Sequence, residues 1–375
     1  MKYAIPLSFS ILSAATGLVA LPAFAGPTYE SASGGTFSFY GQFSPSYAYF
    51  DDGDDSQGKG ADNAKSNSRV GFNITQPFDA FELNFKFETA IGFRATDSIS
   101  QYYTPDGYHW NREKLRHVDL SLKTPNFGTF YIGQGSQASD GVGNIDNSGT
   151  TVAGDVAIGD VAGGYYLRRD DGVLSDITVG DAFNNYDGSR RGRIRYDSPA
   201  FYGVSLRTSW GRNILNSDDG DDYADIALHY EGEFGNGIQV EGGAGYSYRD
   251  RKDGRDDRKD AFASGWVTLP QGFNFGVAFG NRVDGGPGGS YWAVKGGYIA
   301  NWTQWGSTAM SVNYYKSEDM VSKGDEGKSW GVEVVQNIER ASLDLYAGYR
   351  HYEYDDDVTS YKDGKSYLIG ARWKF

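Results

Sequence analysis

The sequence SYLIGARWKF, residues 366–375, places apolar and aromatic side chains at its odd-numbered positions, from Tyr367 to Phe375. Arg372 and Lys374 occupy even-numbered positions. Successive side chains of a β-strand point to opposite faces, so this period indicates a strand with one apolar and one polar face. An aromatic strand that ends the chain would be unusual in a soluble protein, and it favours a strand in a membrane-spanning wall.

The same alternation recurs from about residue 36 onward, most clearly in FELNFKFETAIGF at 81–93. Long and short connections alternate between the periodic segments, which is typical of a membrane barrel with generous loops at one rim and minimal turns at the other. Pro45 indicates a bulge or break, because proline cannot donate a ladder hydrogen bond. The pattern predicts sixteen strands, at 36–49, 69–75, 81–93, 113–123, 129–134, 189–198, 203–212, 223–234, 238–249, 261–269, 273–283, 291–302, 308–317, 328–338, 342–353 and 366–375. The expected fold is therefore all-β, a closed antiparallel transmembrane barrel.

The N-terminus has the features of an export signal. Lys2 precedes an apolar stretch at 5–21, and Ala23 and Ala25 form a small-residue cleavage pattern. We expect residues 1–25 to be a signal peptide that is cleaved near Ala25. The remaining chain, 26–375, is then a single barrel domain.

The composition excludes one class of partner and leaves another open. The net charge of −14 argues against nucleic-acid binding, which requires a basic surface. Acidic residues concentrate in the loops at 51–55, 218–222 and 355–357. These are expected to be solvated loops, with divalent cations bridging to anionic lipids as the alternative, although none has the spacing of an EF-hand. The chain has no cysteine.

A segment at 135–188 shows no period over most of its length, and an unstructured stretch of this size inside a compact domain suggests a function. The strand after it carries Arg191, Arg193 and Arg195 at a spacing of two, hence on one face. An arginine facing lipid near the bilayer midplane costs ~2–4 kcal/mol, so these side chains are expected to face the lumen. Basic residues on the polar faces of other predicted strands could extend this surface: Arg207, Arg69 and Lys86.

Together, these features resemble the trimeric, sixteen-stranded general porins of Gram-negative outer membranes. The resemblance covers the signal peptide, the order of strands, the long loop after the fifth strand, the segment RRGRIRYDSPAFYGVSL at 190–206 and the terminal YLIGARWKF. It implies passive diffusion of small hydrophilic solutes and ions, without a cofactor, through a homotrimer in contact with outer-membrane lipids and lipopolysaccharide. It also implies an assembly signal, read by the barrel assembly machinery, at Tyr367, Trp373 and Phe375.

In that family the loop after the fifth strand folds into the barrel and narrows it. Carried over, the resemblance makes 135–188 a constriction loop whose acidic groups face the basic residues across the pore. The acidic candidates are Asp140, Asp146, Asp155 and Asp160. Aromatic residues at 102–110 are candidates for a latch onto a neighbouring subunit.

Two other functions stay open at this point. A substrate-specific channel, for example for sugars, would need a row of aromatic side chains facing the lumen. An outer-membrane barrel enzyme would need a nucleophile and a base, but no H-E-x-x-H motif occurs. The sign of the ion selectivity is also open, because net acidity favours cations whereas the arginine cluster favours anions.

Overall fold

The computed structural model describes residues 26–156, 158 and 161–375, so the expected signal peptide and Asp160 lie outside the described residues. Strands dominate this part of the chain. Its helical elements are short: α1 (Val179–Ala182) and the 3-10 turns Ala64–Ser66, Thr96–Ser98, Arg112–Lys114 and Glu339–Ala341. The strands are β1 (Thr28–Glu30), β2 (Thr36–Phe43), β3 (Pro45–Asp51), β4 (Ser56–Asp62), β5 (Arg69–Pro77), β6 (Glu82–Ala90), β7 (Leu115–Thr124), β8 (Gly128–Ser136), β9 (Tyr166–Arg168), β10 (Leu174–Thr178), β11 (Arg190–Asp197), β12 (Val204–Arg212), β13 (Asp222–Phe234), β14 (Ile238–Asp250), β15 (Arg258–Thr268), β16 (Phe273–Asp284), β17 (Ser290–Thr303), β18 (Gly306–Glu318), β19 (Glu326–Ile338), β20 (Leu343–Asp355) and β21 (Gly364–Lys374).

These strands form a closed antiparallel barrel of sixteen wall strands. Strands β2 and β3 together make the first wall strand, β4 and β5 make the second, and β6–β8 and β11–β21 supply the rest. The last strand closes the barrel by pairing with the first, as in the registers Gln42 with Lys374 and Asp51 with Lys365. The predicted number of strands and fold class are confirmed.

The break beside Pro45 is confirmed, and it has a counterpart in the second wall strand. Ser44 separates β2 from β3, and its backbone N–H donates to Ser68 Oγ at 2.9 Å. Residues 63–68 interrupt the second wall strand at the same level, and the backbone N–H of Asn63 donates to the Ser44 carbonyl at 3.0 Å. The two interruptions therefore satisfy each other's backbone groups.

One prediction about the wall is wrong. The acidic stretch after the first strand, expected to be a loop over 50–66, contains β4, which pairs with β3 from Pro45–Asp62 to Asp51–Ser56. Its outward positions are Gly58 and Gly60, and the Tyr47 side chain lies over Gly58. Glycine leaves no apolar side chain to mark the alternation, so the period was invisible in the sequence.

The two faces of the wall differ as the alternation predicts. On β11, Ile194 is 58% exposed while its neighbour Arg193 is 4% exposed, and on β18 Val312 is 60% exposed while Asn313 is 7% exposed. Large apolar side chains therefore cover the outside, and polar side chains face the inside. No helix in the described part of the chain is long and apolar enough to cross a membrane.

The buried core lies inside the barrel, between the wall and residues 137–189, which we call the long segment. Within it, β9 and β10 form a separate two-stranded hairpin. Buried apolar residues of the long segment, such as Val142 and Phe183, pack with inward-facing residues of the wall, such as Phe262 and Tyr315. Close packing needs small residues opposite: a Cβ on Gly243 would lie 2.7 Å from the Val142 Cβ.

Candidate functional site

The long segment follows the inside of the wall through specific polar contacts. Near its start, the backbone N–H of Ala138 donates to Ser209 Oγ on β12 at 3.0 Å, and that of Ser139 donates to the Asp225 carboxylate on β13 at 2.8 Å. Further along, the backbone N–H of Ile145 donates to Ser264 Oγ on β15 at 2.9 Å. Serine and aspartate at inward positions therefore satisfy backbone groups that would otherwise be buried without partners.

A buried ionic network holds the middle of the long segment. Lys295 Nζ on β17 lies 2.9 Å from Asp146 Oδ2 and donates to the Gly154 carbonyl at 2.7 Å. Glu333 on β19 lies 3.9 Å from the same lysine and 3.3 Å from Arg350 on β20. Ser311 Oγ also donates to Glu333, at 2.6 Å. Each charge in this network has a partner of opposite sign, as buried charges require.

The far end of this stretch reaches the interruption in the second wall strand. Lys65 Nζ lies 2.8 Å from Asp155 Oδ1, and Asn63 Nδ2 donates to the Val152 carbonyl at 2.6 Å. The side chain of Asn63 also accepts from the Lys65 backbone N–H at the start of a 3-10 turn. Residues 63–65 thus form a second anchor for the long segment.

Asp187 joins the two ends of the long segment. Its carboxylate accepts from the backbone N–H groups of Gly141 and Gly143, both at 2.9 Å. Burial, together with the negative charge of Asp140, raises the pKa of Asp187 to about 7. This carboxyl therefore changes charge near neutral pH, outside the membrane-spanning strands.

The hairpin β9–β10 attaches the long segment to two loops of the barrel, the one between β3 and β4 and the one between β20 and β21. Arg168 makes a bidentate contact with Asp52, at 2.8 and 2.9 Å, and reaches Asp55 at 3.2 Å. The backbone N–H of Lys362 donates to the Arg168 carbonyl at 2.8 Å. Burial tends to raise the pKa of Asp52, but hydrogen bonds from Arg168, from Gln101 and from the backbone of residues 54 and 55 outweigh it and lower the pKa. The acidic stretch at 51–55 is therefore partly a docking point and not only a solvated loop.

A second part of the inner wall, on β5–β8, β11 and β12, is rich in arginine and lysine. We call it the basic wall and define it by its cations: Arg69, Lys86, Arg116, Arg193, Arg195 and Arg207. Three carboxylates lie among them: Glu88, Asp119 and Asp197.

Most of these charges are paired on the wall itself. Arg193 Nη2 lies 2.6 Å from Asp119, and Arg195 Nε lies 2.7 Å from Asp197. Glu88 accepts from Arg116 at 2.5 Å and lies 3.7 Å from Arg69. The guanidinium groups of Arg193 and Arg195 also lie 5.5 and 5.3 Å from the Tyr131 ring centre, within cation–π range.

The remaining predicted basic residues are held less tightly. Arg191 donates to Ser189 Oγ at 3.1 Å and lies 4.1 Å from the Tyr223 ring centre. Among the described residues, neither Lys86 nor Arg207 forms an ion pair within 4.0 Å. These two cations are therefore the least compensated members of the basic wall.

The predicted acidic residues occupy different places. Asp146 pairs with Lys295 and Asp155 pairs with Lys65, neither of which the sequence analysis singled out. Asp140 lies close enough to Asp187 to influence its charge. The two-residue alternation could have identified Lys295 as an inward-facing residue, because Trp292 and Val294 mark the outward face of its strand. Nothing in the sequence pointed to Lys65.

A sixteen-stranded closed wall with an apolar outside and a charged inside defines a membrane-spanning β-barrel channel. The chain belongs to the family of Gram-negative porins, because the model of that family matches residues 12–357. The protein is thus an outer-membrane channel for passive diffusion.

Solved structures share this fold at low sequence identity. The high-pH structure of Pseudomonas putida OprB gives a TM-score of 0.63 at 10% identity, covering 90% of this chain and 94% of that chain. The anion-selective porin from Comamonas acidovorans gives 0.61 at 15% identity, covering 91% and 100%. The trimer form of in-vitro folded Vibrio cholerae OmpT gives 0.57 at 19% identity, covering 91% and 99%. Comparison with curated proteins gives no match.

Proposed function

We propose that the protein is a general, non-specific porin in which small hydrophilic solutes and ions pass between the long segment and the basic wall. The main supporting observation is the path of residues 138–155, whose polar contacts run from β12 round to β18 and residues 63–65. The long segment then acts as the constriction that sets the size limit. Asp140 is its proposed acidic group, while Asp146 and Asp155 serve as anchors.

The inner aromatic residues favour a non-specific channel over a sugar-specific one. Tyr291, Tyr315 and Tyr352 face inward, but the long segment packs over them and each is at most 4% exposed. A sugar could not stack on rings that are covered in this way. Tyr131 on the basic wall is an isolated ring beside two arginines, which is not a continuous stacking surface.

The placement of the histidines supports a channel that is not an enzyme. His117, His229 and His351 lie on β7, β13 and β20, each beside a different carboxylate. Histidines spread around the wall in this way do not converge on one reacting atom. In the described part of the chain, no cluster of three or more His, Asp or Glu side chains is arranged for a metal ion, and the proposed transport needs no cofactor.

The proposed assembly is a homotrimer, as in the trimer form of Vibrio cholerae OmpT. Tyr102, Tyr103 and Tyr108 project from the loop between β6 and β7 and are 59–71% exposed. Large exposed aromatic side chains are typical of protein interfaces. We assign them the latch onto a neighbouring subunit, and a native mass measurement tests the trimer.

Export and membrane partners complete the proposal. Residues 1–25 act as the signal peptide, so N-terminal sequencing of the exported protein is expected to begin at Gly26. Tyr367, Trp373 and Phe375 form the signal for the barrel assembly machinery. The outer apolar face contacts outer-membrane lipids, and the loops at the rim with the long connections contact lipopolysaccharide.

Conductance in planar bilayers tests the proposed function. The wild-type protein is expected to give large, stable steps that scale with bulk conductivity and are insensitive to sugars. Asn73→Trp adds bulk to the inner face of β5 and should lower the conductance, whereas Ile74→Trp adds the same bulk to the outside and should not. Block by one class of sugar at low concentration would favour a specific channel, and a folded barrel without conductance would overturn the proposal.

A further inference from the structure

The sign of the ion preference can be derived from where the long segment lies. Residues 138–155 form hydrogen bonds or ion pairs with β12–β15, β17 and β18 and reach across to residues 63–65. Among the described residues, none of their hydrogen bonds or ion pairs reaches β5, β6 or β7. The inward side chains of these three strands therefore remain available to line the passage.

The open side carries an excess of positive charge. The basic wall has six cations and three carboxylates, and each carboxylate is engaged by an arginine. Glu82 and Lys123 face each other across β6 and β7 at the short-turn end and offset one another. Within the basic wall, the excess therefore resides mainly on Lys86 and Arg207, for which the described residues offer no carboxylate within 4.0 Å. Arg191, nearer the loop end of β11, also has no carboxylate within this distance among the described residues and adds to the same positive charge.

The net charge of −14 does not reverse this positive excess, because many of the acidic residues lie in the long loops, at the end of the barrel opposite the short turns. Lys86 is four residues from the end of β6, and Arg207 is five residues from the end of β12. At ~3.3 Å per residue these positions lie roughly 13 and 16 Å along their strands from the loop ends. The Debye length at physiological ionic strength is about 8 Å, so loop charges are largely screened there.

We propose that the passage along the basic wall favours small anions over cations, and that Lys86 and Arg207 set this preference. The inference rests on the proposed diffusion function and adds the class of solute that passes most readily. A narrow aqueous passage with low-dielectric walls focuses the field of fixed charges, so two uncompensated cations raise the local concentration of anions. The paired arginines contribute less, because the carboxylates beside them cancel most of their field.

The test is the reversal potential of the full-length mature protein in a planar bilayer across a potassium chloride gradient. The wild type is expected to show chloride preference. Lys86→Gln and Arg207→Gln should each lower the chloride-to-potassium permeability ratio about two-fold, as for removal of one charge several ångströms from the ion path in water. The double variant should show the product of the two effects.

Lys259→Gln is the matched control. Lys259 lies on the outward parity of β15 and pairs with Asp284 at 2.8 Å, so its neutralisation should leave the ratio unchanged. A wild-type channel that prefers potassium, or a double variant with the wild-type ratio, would overturn the inference while leaving the diffusion channel intact. Loss of conductance in the wild type would overturn the proposed function instead.

Discussion

Lys295 of β17 and Asp146 of the long segment form an ion pair of 2.9 Å although they are 149 positions apart in the sequence. The exposed fractions of the two side chains are 0% and 1%. The pair joins the barrel wall to the segment inside it. The same lysine also binds the Gly154 carbonyl, so one wall residue holds the long segment at two points.

Removing this lysine should weaken the fold. Lys295→Met leaves the buried carboxylates of Asp146 and Glu333 short of a cation, and loss of one partner of a buried pair costs ~3–5 kcal/mol. We expect a loss of this order in the free energy of unfolding, measured by guanidinium denaturation in detergent micelles. Lys259→Met removes an exposed partner on the outside and should cost less than about 1 kcal/mol. Similar losses for both variants would contradict the anchoring role of Lys295.

The two faces of the wall should respond differently to a new charge. Val312 lies near the middle of β18 on the outside. Val312→Arg is therefore expected to lower the free energy of unfolding by ~2–4 kcal/mol. Asn73→Arg places the same side chain on the inner face of β5, beside the water-filled passage, and should cost far less. Unfolding free energies in lipid vesicles would compare the two variants. An equal cost would mean that the outward face is not the lipid-contacting one.

Phe375 completes the closure of the barrel. Its backbone N–H donates to the Gly41 carbonyl at 3.0 Å, and its carbonyl accepts from the Gly41 N–H at 2.8 Å. Its ring lies near those of Phe39, Phe43 and Trp373, with centroids 6.1, 5.7 and 5.2 Å away. Each aromatic pair contributes about 0.5–1.5 kcal/mol.

Phe375→Ala should therefore lower the unfolding free energy by the sum of these contacts and reduce the fraction of chains that assemble in the outer membrane. Heat-dependent gel mobility measures the folded fraction, and denaturation of the purified barrel measures the stability. Tyr29→Ala, which removes an exposed ring from β1, should change either quantity little. Normal assembly of the Phe375 variant would remove this residue from the proposed assembly signal.

Ion preference should depend on pH through Asp187. Because its pKa is raised to about 7, the carboxyl loses its negative charge as the pH falls from about 8 to 6. Asp140, Arg190 and Tyr291 are the charged and titratable groups that act on it or feel its charge. Loss of a negative charge inside the barrel raises the preference for anions at the lower pH.

The measurement is the reversal potential at pH 8 and pH 6 for the wild type and for Asp187→Asn. The variant should show the high anion preference at both values. An unaltered pH step in Asp187→Asn would assign the titration to another group.

The wall could be predicted well because its signal is local. Ile194 between Arg193 and Arg195, or Val312 beside Asn313, reports its face through the two-residue period of a strand. The predicted strand at 261–269 is confirmed as β15, which pairs with the strands on both sides. Strand β4 was not predicted, because Gly58 and Gly60 occupy its outward positions and carry no apolar side chain that would show the alternation.

The pore interior was less predictable. The two-residue alternation correctly separated the inward arginines from the outward apolar residues. It could not predict which carboxylate pairs with each arginine. Asp146 and Asp155 were expected to face the arginines, whereas the structure places them beside Lys295 and Lys65. Arg168 and Asp52, which fix the hairpin to a loop, are 116 positions apart and carried no signal in the sequence.

The sequence by itself determined the sixteen-stranded barrel, the face to which most wall residues point, those of β4 excepted, and the existence of a long non-periodic segment. These follow from local rules, because the pleat alternates side chains and lipid rejects charge. Only the tertiary structure decided which part of the wall the long segment covers and which cations stay uncompensated. Those features depend on contacts between residues far apart in the chain, which the two-residue period of a single strand does not report.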